Sequence, residues 1–146
     1  ARAIDRGLAK VFRYLVANAE DLPLADKSVD VYTISFGLRN VTDIDAALRE
    51  AHRVLKKGGR FFCLEFSRVT IDPLRPLYDL YSFAVLPALG RYVAKDAESY
   101  QYLAESIRQF PPQEELARRM EEAGFDAVAY TNLSGGIAAI HCGLKR

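Results

Sequence analysis

A glycine, an arginine and an asparagine fall within the run Ser35-Phe36-Gly37-Leu38-Arg39-Asn40, directly after a β-branched and aromatic stretch. Together they supply a bendable backbone, a cation that stays charged at any working pH and an amide, a set suited to holding an oxyanion. Two further runs place polar groups at the ends of strand-like stretches: Asn18-Ala19, and Glu65-Phe66-Ser67-Arg68. Ligands of open α/β sheets lie beyond the carboxyl ends of the parallel strands, so these three ends are where chemistry is expected. Glu65 could act as a catalytic carboxylate, pair with Arg68 or cap a turn. Arg39 has a competing role as a structural ion-pair partner.

The elements that would position these groups follow from periodicity. Val11 to Val16 reads as a short strand ending in the polar turn Asn18-Ala19-Glu20-Asp21-Leu22-Pro23. Val29 to Phe36 reads as a mostly buried strand. Thr42 offers a helix N-cap with Asp45 three positions on, and Ile44, Leu48, Ala51 and Leu55 follow at helical spacing. That helix is expected to stop at Lys56-Lys57-Gly58-Gly59, and Phe61 to Phe66 is the next strand. Val29 to Phe66 is thus one strand, helix, strand unit with parallel strands and a right-handed crossover. Pro73 to Lys95 is helical in pattern, interrupted at Pro87 and rich in tyrosine, and Ser99 to Phe110 reads as a short helix. A helix over Gln113 to Ala123 is capped by Gly124, and Phe125 to Asn132 and Ile137 to Leu144 form an antiparallel pair about a Ser134-Gly135-Gly136 turn. The pattern predicts one domain over residues 1–146: a three-layer α/β sheet, mostly parallel, with a C-terminal antiparallel hairpin and an insertion-like helical segment at about 73–110.

Composition narrows the function classes. Of 146 residues, 50% are hydrophobic and 27% charged, which excludes disorder and low complexity. Twenty Lys and Arg against 19 Asp and Glu leave a net charge of +1, and no global electrostatic case for nucleic acid. The richest apolar stretch, Phe83 to Leu89, is too short for a membrane span, and Ala1 to Arg6 lacks the apolar block of a secretory signal, which points to the cytoplasm. Cys63 and Cys142 sit in strand-like contexts as buried free thiols. His52 and His141 read as structural, and with the cysteines they show no metal-ligand spacing, so no metal is expected. The chain does not begin with Met, and its one methionine is Met120.

The runs Ile34 to Thr42, His52 to Arg60, Leu64 to Ser67, Tyr78 to Phe83 and Ser99 to Arg108 closely resemble the C-methyltransferases of ubiquinone and menaquinone biosynthesis. The resemblance covers nearly the whole chain. It implies a Rossmann-like class I methyltransferase sheet and S-adenosylmethionine as methyl donor. By position, Asn18 and Ala19 would lie against the adenine, Ser35 near the donor's methionine end, and Arg39 and Asn40 against the acceptor ring. The implied reaction places a methyl on a ring carbon of a polyprenylated benzoquinol or naphthoquinol. An aromatic carbon is a poor nucleophile unless a neighbouring hydroxyl gives up charge, so Arg39 is the candidate stabiliser of that charge, with Asn40, Tyr78 and Asp79 orienting hydroxyls or relaying the proton.

The chain also departs from that family. The glycine-rich turn and the acidic residue that found the donor site are not found before Asn18, so the chain reads as a carboxyl-terminal portion whose missing strands would lie between Val11–Val16 and Val29–Phe36. Leu74 to Val93 is either core or an apolar channel or face for a polyprenyl tail, the inner membrane or a sister subunit, so a homodimer, a quinone-synthesis complex and peripheral membrane contact stay open as partners. Two other functions stand beside the first: a class I methyltransferase on another small aromatic or sterol-like acceptor, and a non-catalytic subunit of a quinone-synthesis assembly. Arg49-Glu50-Ala51-His52 and Phe61-Phe62-Cys63-Leu64 lie nearer the ubiquinone branch.

Overall fold

A computed structural model describes residues 12–70 and 97–146. Strand β1 (Val29–Ser35) runs into a short 3-10 turn at Leu38–Asn40, helix α1 (Ile44–Val54) and strand β2 (Leu55–Phe66). Helices α2 (Ala97–Gln109) and α3 (Gln113–Glu122) precede strands β3 (Asp126–Leu133) and β4 (Ala138–Leu144). The four strands form one mixed sheet in the order β1-β2-β4-β3. β1 and β2 are parallel, as the strand, helix, strand pattern requires, and β4 lies antiparallel to both β2 and β3.

The core forms where one sheet face meets α1 and α3. Alternate residues of β2, Phe61, Cys63 and Glu65, are buried, and Phe61 and Cys63 join Leu48 and Ala51 of α1 and Leu116 and Met120 of α3 in one cluster. Phe125 stacks on Phe61 at 5.0 Å between centroids and meets the His52 ring edge-on at 5.2 Å. Removing each large apolar side chain from water contributes about 1.5–3 kcal/mol, so this cluster dominates the stability of the unit. Gly124, at φ +101°, ends α3: its N–H donates to the Glu121 carbonyl and that of Phe125 to Met120, the left-handed cap expected there.

Several boundaries differ from the sequence reading. Residues 12–17 form no strand, and Val16 is fully exposed. A strand needs a neighbouring backbone to take its N–H and C=O groups, and among the described residues β1 is the sheet edge with nothing beyond it. For the same reason β1 is not mostly buried: Tyr32 and Ile34 turn toward the core while Val31, Thr33 and Ser35 are exposed. The α1 N-cap is Asp43 rather than Thr42, its carboxylate accepting the Ala46 N–H at 3.0 Å. At the other end α1 stops at Val54, ahead of the lysines and glycines, because tertiary partners take its last carbonyls. Lys27 N–H donates to Arg53, Ser28 N–H to Val54, and the Lys145 ammonium to His52 at 2.6 Å. Gly58 therefore turns inside β2, at φ +77°, with its N–H on the Lys145 carbonyl, and does not cap the helix. The helical pattern over Pro73 to Lys95 lies outside the described residues.

Candidate functional site

The carboxyl ends of the parallel pair β1 and β2 bring four of the candidate residues together, Ser35, Arg39, Asn40 and Glu65. Ser35 closes β1 opposite Leu64, exposed. The chain then turns sharply at Phe36, whose N–H still donates to the Leu64 carbonyl at 2.8 Å while its φ is +51°. The bend was expected at Gly37, but Gly37 keeps an ordinary negative φ and the left-handed residue is the aromatic one. Leu38, buried to 1% exposure, roots the following 3-10 turn in the core, and this sets Arg39 and Asn40 beside the end of β2.

Arg39 is clamped at one nitrogen. Its Nη1 donates to the Phe36 carbonyl at 2.6 Å and to both oxygens of Glu65, at 2.8 and 3.3 Å. The guanidinium carbon lies 5.4 Å from the centroid of the Phe66 ring, which itself meets the Phe36 ring at 4.7 Å. Glu65 is 1% exposed, and burial raises its carboxyl above the ordinary range while the Arg39 charge opposes that rise. Arg68, the partner expected for Glu65 from the sequence, is not the one used. In a parallel pair Ser35 lies opposite Leu64, so the residue after Leu64 and the turn after Ser35 share one end of the sheet, and that offset was the signal for Arg39 and Glu65. Arg39 Nε is buried without an acceptor among the described residues.

Asn40 accepts a hydrogen bond on its amide oxygen from the Tyr102 hydroxyl of α2 at 3.1 Å. Tyr102, 56% exposed, is a neighbour that sequence spacing could not place. Asn18 and Ala19 stand apart in sequence but are tied to the same loop. The Asn18 amide oxygen accepts the Glu20 N–H at 3.1 Å and its carbonyl accepts the Asp21 N–H, which shapes a tight turn. Glu20 Oε1 in turn accepts the N–H groups of Thr42 at 2.7 Å and Asp43 at 3.1 Å, joining that turn to the start of α1. Tyr78 and Asp79 lie outside the described residues.

The nearby thiol and imidazole take no part in this cluster. Burial and the Glu65 charge push the Cys63 thiol up to about 12, so it stays protonated and inert at neutral pH. Its cross-strand neighbour His141 is buried on the Gln113 carbonyl. Among the described residues no group of His, Cys, Asp and Glu could hold a metal ion, and no helix is long and apolar enough to cross a membrane.

What the arrangement can do is hold a negative oxygen next to aromatic surface at a sheet end, with an adjoining loop turn for a second ligand portion. At this end Ser35 is exposed, and the Asn18–Ala19 turn is preformed and tied by Glu20 to the start of α1, so polar groups are available to a second ligand portion. A model of the ubiE/COQ5 methyltransferase family matches residues 1–145. The ubiquinone/menaquinone biosynthesis C-methyltransferase UbiE of Xanthomonas campestris pv. campestris is 60% identical over 144 residues, 99% of this chain and 57% of that protein. The mitochondrial 2-methoxy-6-polyprenyl-1,4-benzoquinol methylase of Bos taurus is 58% identical over 145 residues, 99% of this chain and 43% of that protein. The chain therefore spans about half the length of the curated relatives it matches. Among solved structures, a S-adenosylmethionine-dependent methyltransferase of Thermotoga maritima has a TM-score of 0.67 at 24% identity, covering 97% of this chain and 68% of that one. One from Aquifex aeolicus has a TM-score of 0.60 at 16% identity, covering 99% and 60%. These two likenesses are of fold, the Rossmann-like methyltransferase sheet expected from the sequence. By the match over nearly its whole length, this chain belongs to the ubiE/COQ5 methyltransferase family.

Proposed function

We propose that the protein containing this chain methylates a ring carbon of a polyprenylated benzoquinol of the 2-methoxy-6-polyprenyl-1,4-benzoquinol type, with demethylmenaquinol as the alternative acceptor. The observation that carries the reading is Arg39, anchored beside two aromatic rings at the carboxyl ends of the parallel pair in a chain of this family. S-adenosylmethionine, when bound, supplies an electrophilic methyl group on a sulfonium. Asn18 and Ala19 would bind its adenine, and Ser35 its methionine end. Arg39 stabilises the phenolate-like oxygen that pushes electron density onto the ring carbon, the charge without which an aromatic carbon does not attack. Asn40, Tyr78 and Asp79 orient the ring hydroxyls and relay to water the proton that the ring carbon gives up. Phe36 and Phe66 offer flat apolar surface to the quinol ring, which favours its neutral carbon framework and excludes water from the charged oxygen. The runs Arg49-Glu50-Ala51-His52 and Phe61-Phe62-Cys63-Leu64, nearer the ubiquinone branch, support the ordering of the two acceptors.

The test is methyl transfer by the full chain as its gene encodes it, assayed with radiolabelled donor on both quinols side by side. A labelled benzoquinol product is the expected result. Label in another aromatic acceptor only, or in none, overturns the reading, and faster turnover of demethylmenaquinol reverses the order of acceptors. Calorimetric titration with S-adenosylhomocysteine accompanies the assay and reports the donor site independently of the acceptor.

A further inference from the structure

Resting on that reading, we propose that Glu65, acting with the Phe36 carbonyl, is the positioning residue of the site: together they hold Arg39 by Nη1 alone and leave the remainder of the guanidinium to take the acceptor's oxygen. Four observations carry this. The first is geometric. An arginine and a carboxylate whose only task is mutual stabilisation favour a fork, two nitrogens on two oxygens, whereas here both Glu65 oxygens converge on one nitrogen, at 2.8 and 3.3 Å. The second is the third contact on that same nitrogen, the Phe36 carbonyl at 2.6 Å, delivered by an aromatic residue at φ +51°. A left-handed backbone is costly for a bulky side chain, and such strain persists where the surroundings demand it and clusters at functional sites. Gly37, next in the chain, would have borne that φ at no cost and does not.

The third observation is Nε, a buried donor with no acceptor among the described residues. Buried donors are rarely left unmade, and a bound ring oxygen or its water would satisfy this one. The fourth is burial of the anion. Glu65 is 1% exposed beside an Arg39 side chain 11% exposed, so the counter-charge cannot drift and the cation is held in one place against the Phe66 face. Preorganised charge of this kind needs no rearrangement as the oxyanion develops. The Glu65 charge also balances Arg39 before an acceptor binds, which lowers the cost of keeping a cation against an aromatic ring.

The experiment uses the full chain as encoded and compares Glu65→Ala, Glu65→Gln, Arg39→Ala, Arg39→Lys and the double variant Glu65→Ala/Arg39→Ala. Each is measured for kcat on 2-methoxy-6-polyprenyl-1,4-benzoquinol and for S-adenosylhomocysteine affinity. Glu65→Ala is expected to lower kcat by about 100-fold with donor affinity unchanged, the scale of losing one preorganised donor. Glu65→Gln, which keeps an acceptor oxygen for Nη1, recovers part of that loss, and the double variant is no slower than Arg39→Ala alone because both changes remove one device. Arg39→Lys keeps a nitrogen for Glu65 and Phe36 but nothing beyond it, so it is expected to fold as the parent and turn over as slowly as Arg39→Ala. Parent-like kcat in Glu65→Ala, or fully multiplicative losses in the double variant, overturns the inference while leaving quinol methylation intact. If Glu65→Ala does not fold, Arg39→Lys decides: parent-like turnover there makes Arg39 a structural ion-pair partner and overturns the inference. No methyl transfer by the parent overturns the proposed function and this inference with it.

Discussion

His141 and Gln113 join the hairpin to the third helix through a single buried bond, 2.9 Å from the imidazole Nε2 to the Gln113 backbone carbonyl. A carbonyl can only accept, so Nε2 carries the proton and Nδ1 the lone pair, and Nδ1 is buried with no partner among the described residues. The Gln113 side chain extends the junction by donating to the Arg68 carbonyl at 2.8 Å and the Asn132 amide oxygen at 2.9 Å. The end of β2, the start of α3 and strands β3 and β4 are thereby tied at one point.

Acid should loosen this junction. Burial lowers the His141 pKa below its ordinary 6.5, the Gln113 bond opposing, and burial with the Lys145 charge lowers that of His52. Both rings hold a proton less tightly in the fold than in the unfolded chain, so stability present above the unfolded value of 6.5 is lost as pH falls through and below it. Denaturant melts from pH 7.5 to 5 are expected to show this fall, with up to about 1.4 kcal/mol per pH unit from each histidine. His141→Phe should flatten the slope; an unchanged slope in that variant would assign the acid sensitivity elsewhere.

The Glu20 carboxylate is expected to govern donor binding without touching the acceptor. It fixes the Asn18–Ala19 turn to Thr42 and Asp43, and Glu20→Ala frees that turn from the start of α1. In the full chain S-adenosylhomocysteine should bind about tenfold more weakly, roughly 1.4 kcal/mol, the worth of a charge-assisted bond or two. kcat at saturating donor should change little. Equal loss in kcat would place Glu20 at the acceptor end instead.

Two adjacent glycines in the turn of β2 should respond differently to alanine. Gly58 has φ +77° but open space around a new Cβ, so Gly58→Ala costs only the left-handed backbone, about 1–2 kcal/mol. Gly59 has no such φ, but its Cβ would lie 2.8 Å from the Lys56 carbonyl oxygen and 3.1 Å from that of Asp30, atoms that cannot move without opening the strand pair. Gly59→Ala is expected to lose more stability than Gly58→Ala in chemical denaturation, upward of about 2 kcal/mol. The opposite order would mean that the turn inside β2 yields more easily than its contacts suggest.

Asp43 carries the start of α1 through its bond to the Ala46 N–H, and Glu20 already occupies the Asp43 N–H. Asp43→Ala should lower stability by about 1 kcal/mol and Asp43→Asn by less, since asparagine also caps well. Thr42→Ala, the alternative cap in the sequence, should be close to neutral in the same thermal melts. A larger loss from Thr42→Ala would return the cap to that residue.

Most of the element plan was legible because it rests on local chemistry. The apolar spacing of Ile44, Leu48 and Ala51, the Gly124 cap and the Ser134-Gly135-Gly136 turn each imply their structure within a few residues. The readings that shifted all depended on distant partners. Val11–Val16 has strand composition but no adjacent backbone among the described residues, and α1 ended early because Ser28 and Lys145, remote in sequence, took its carbonyls. In the candidate site, Arg39 and Asn40 were identifiable by residue type and position after a strand. That Glu65 and Tyr102, 26 and 62 positions away, are their partners was not.

By itself the sequence determined the family, the parallel strand, helix, strand unit and the antiparallel hairpin, since periodicity, caps and motif runs are properties of neighbouring residues. Only the tertiary structure decided that Phe36 rather than Gly37 bears the bend and that Glu65 rather than Arg68 closes the ion pair. The register of Ser35 against Leu64 brings those groups to one sheet end, and burial there turns the carboxylate from water to the Arg39 cation within reach.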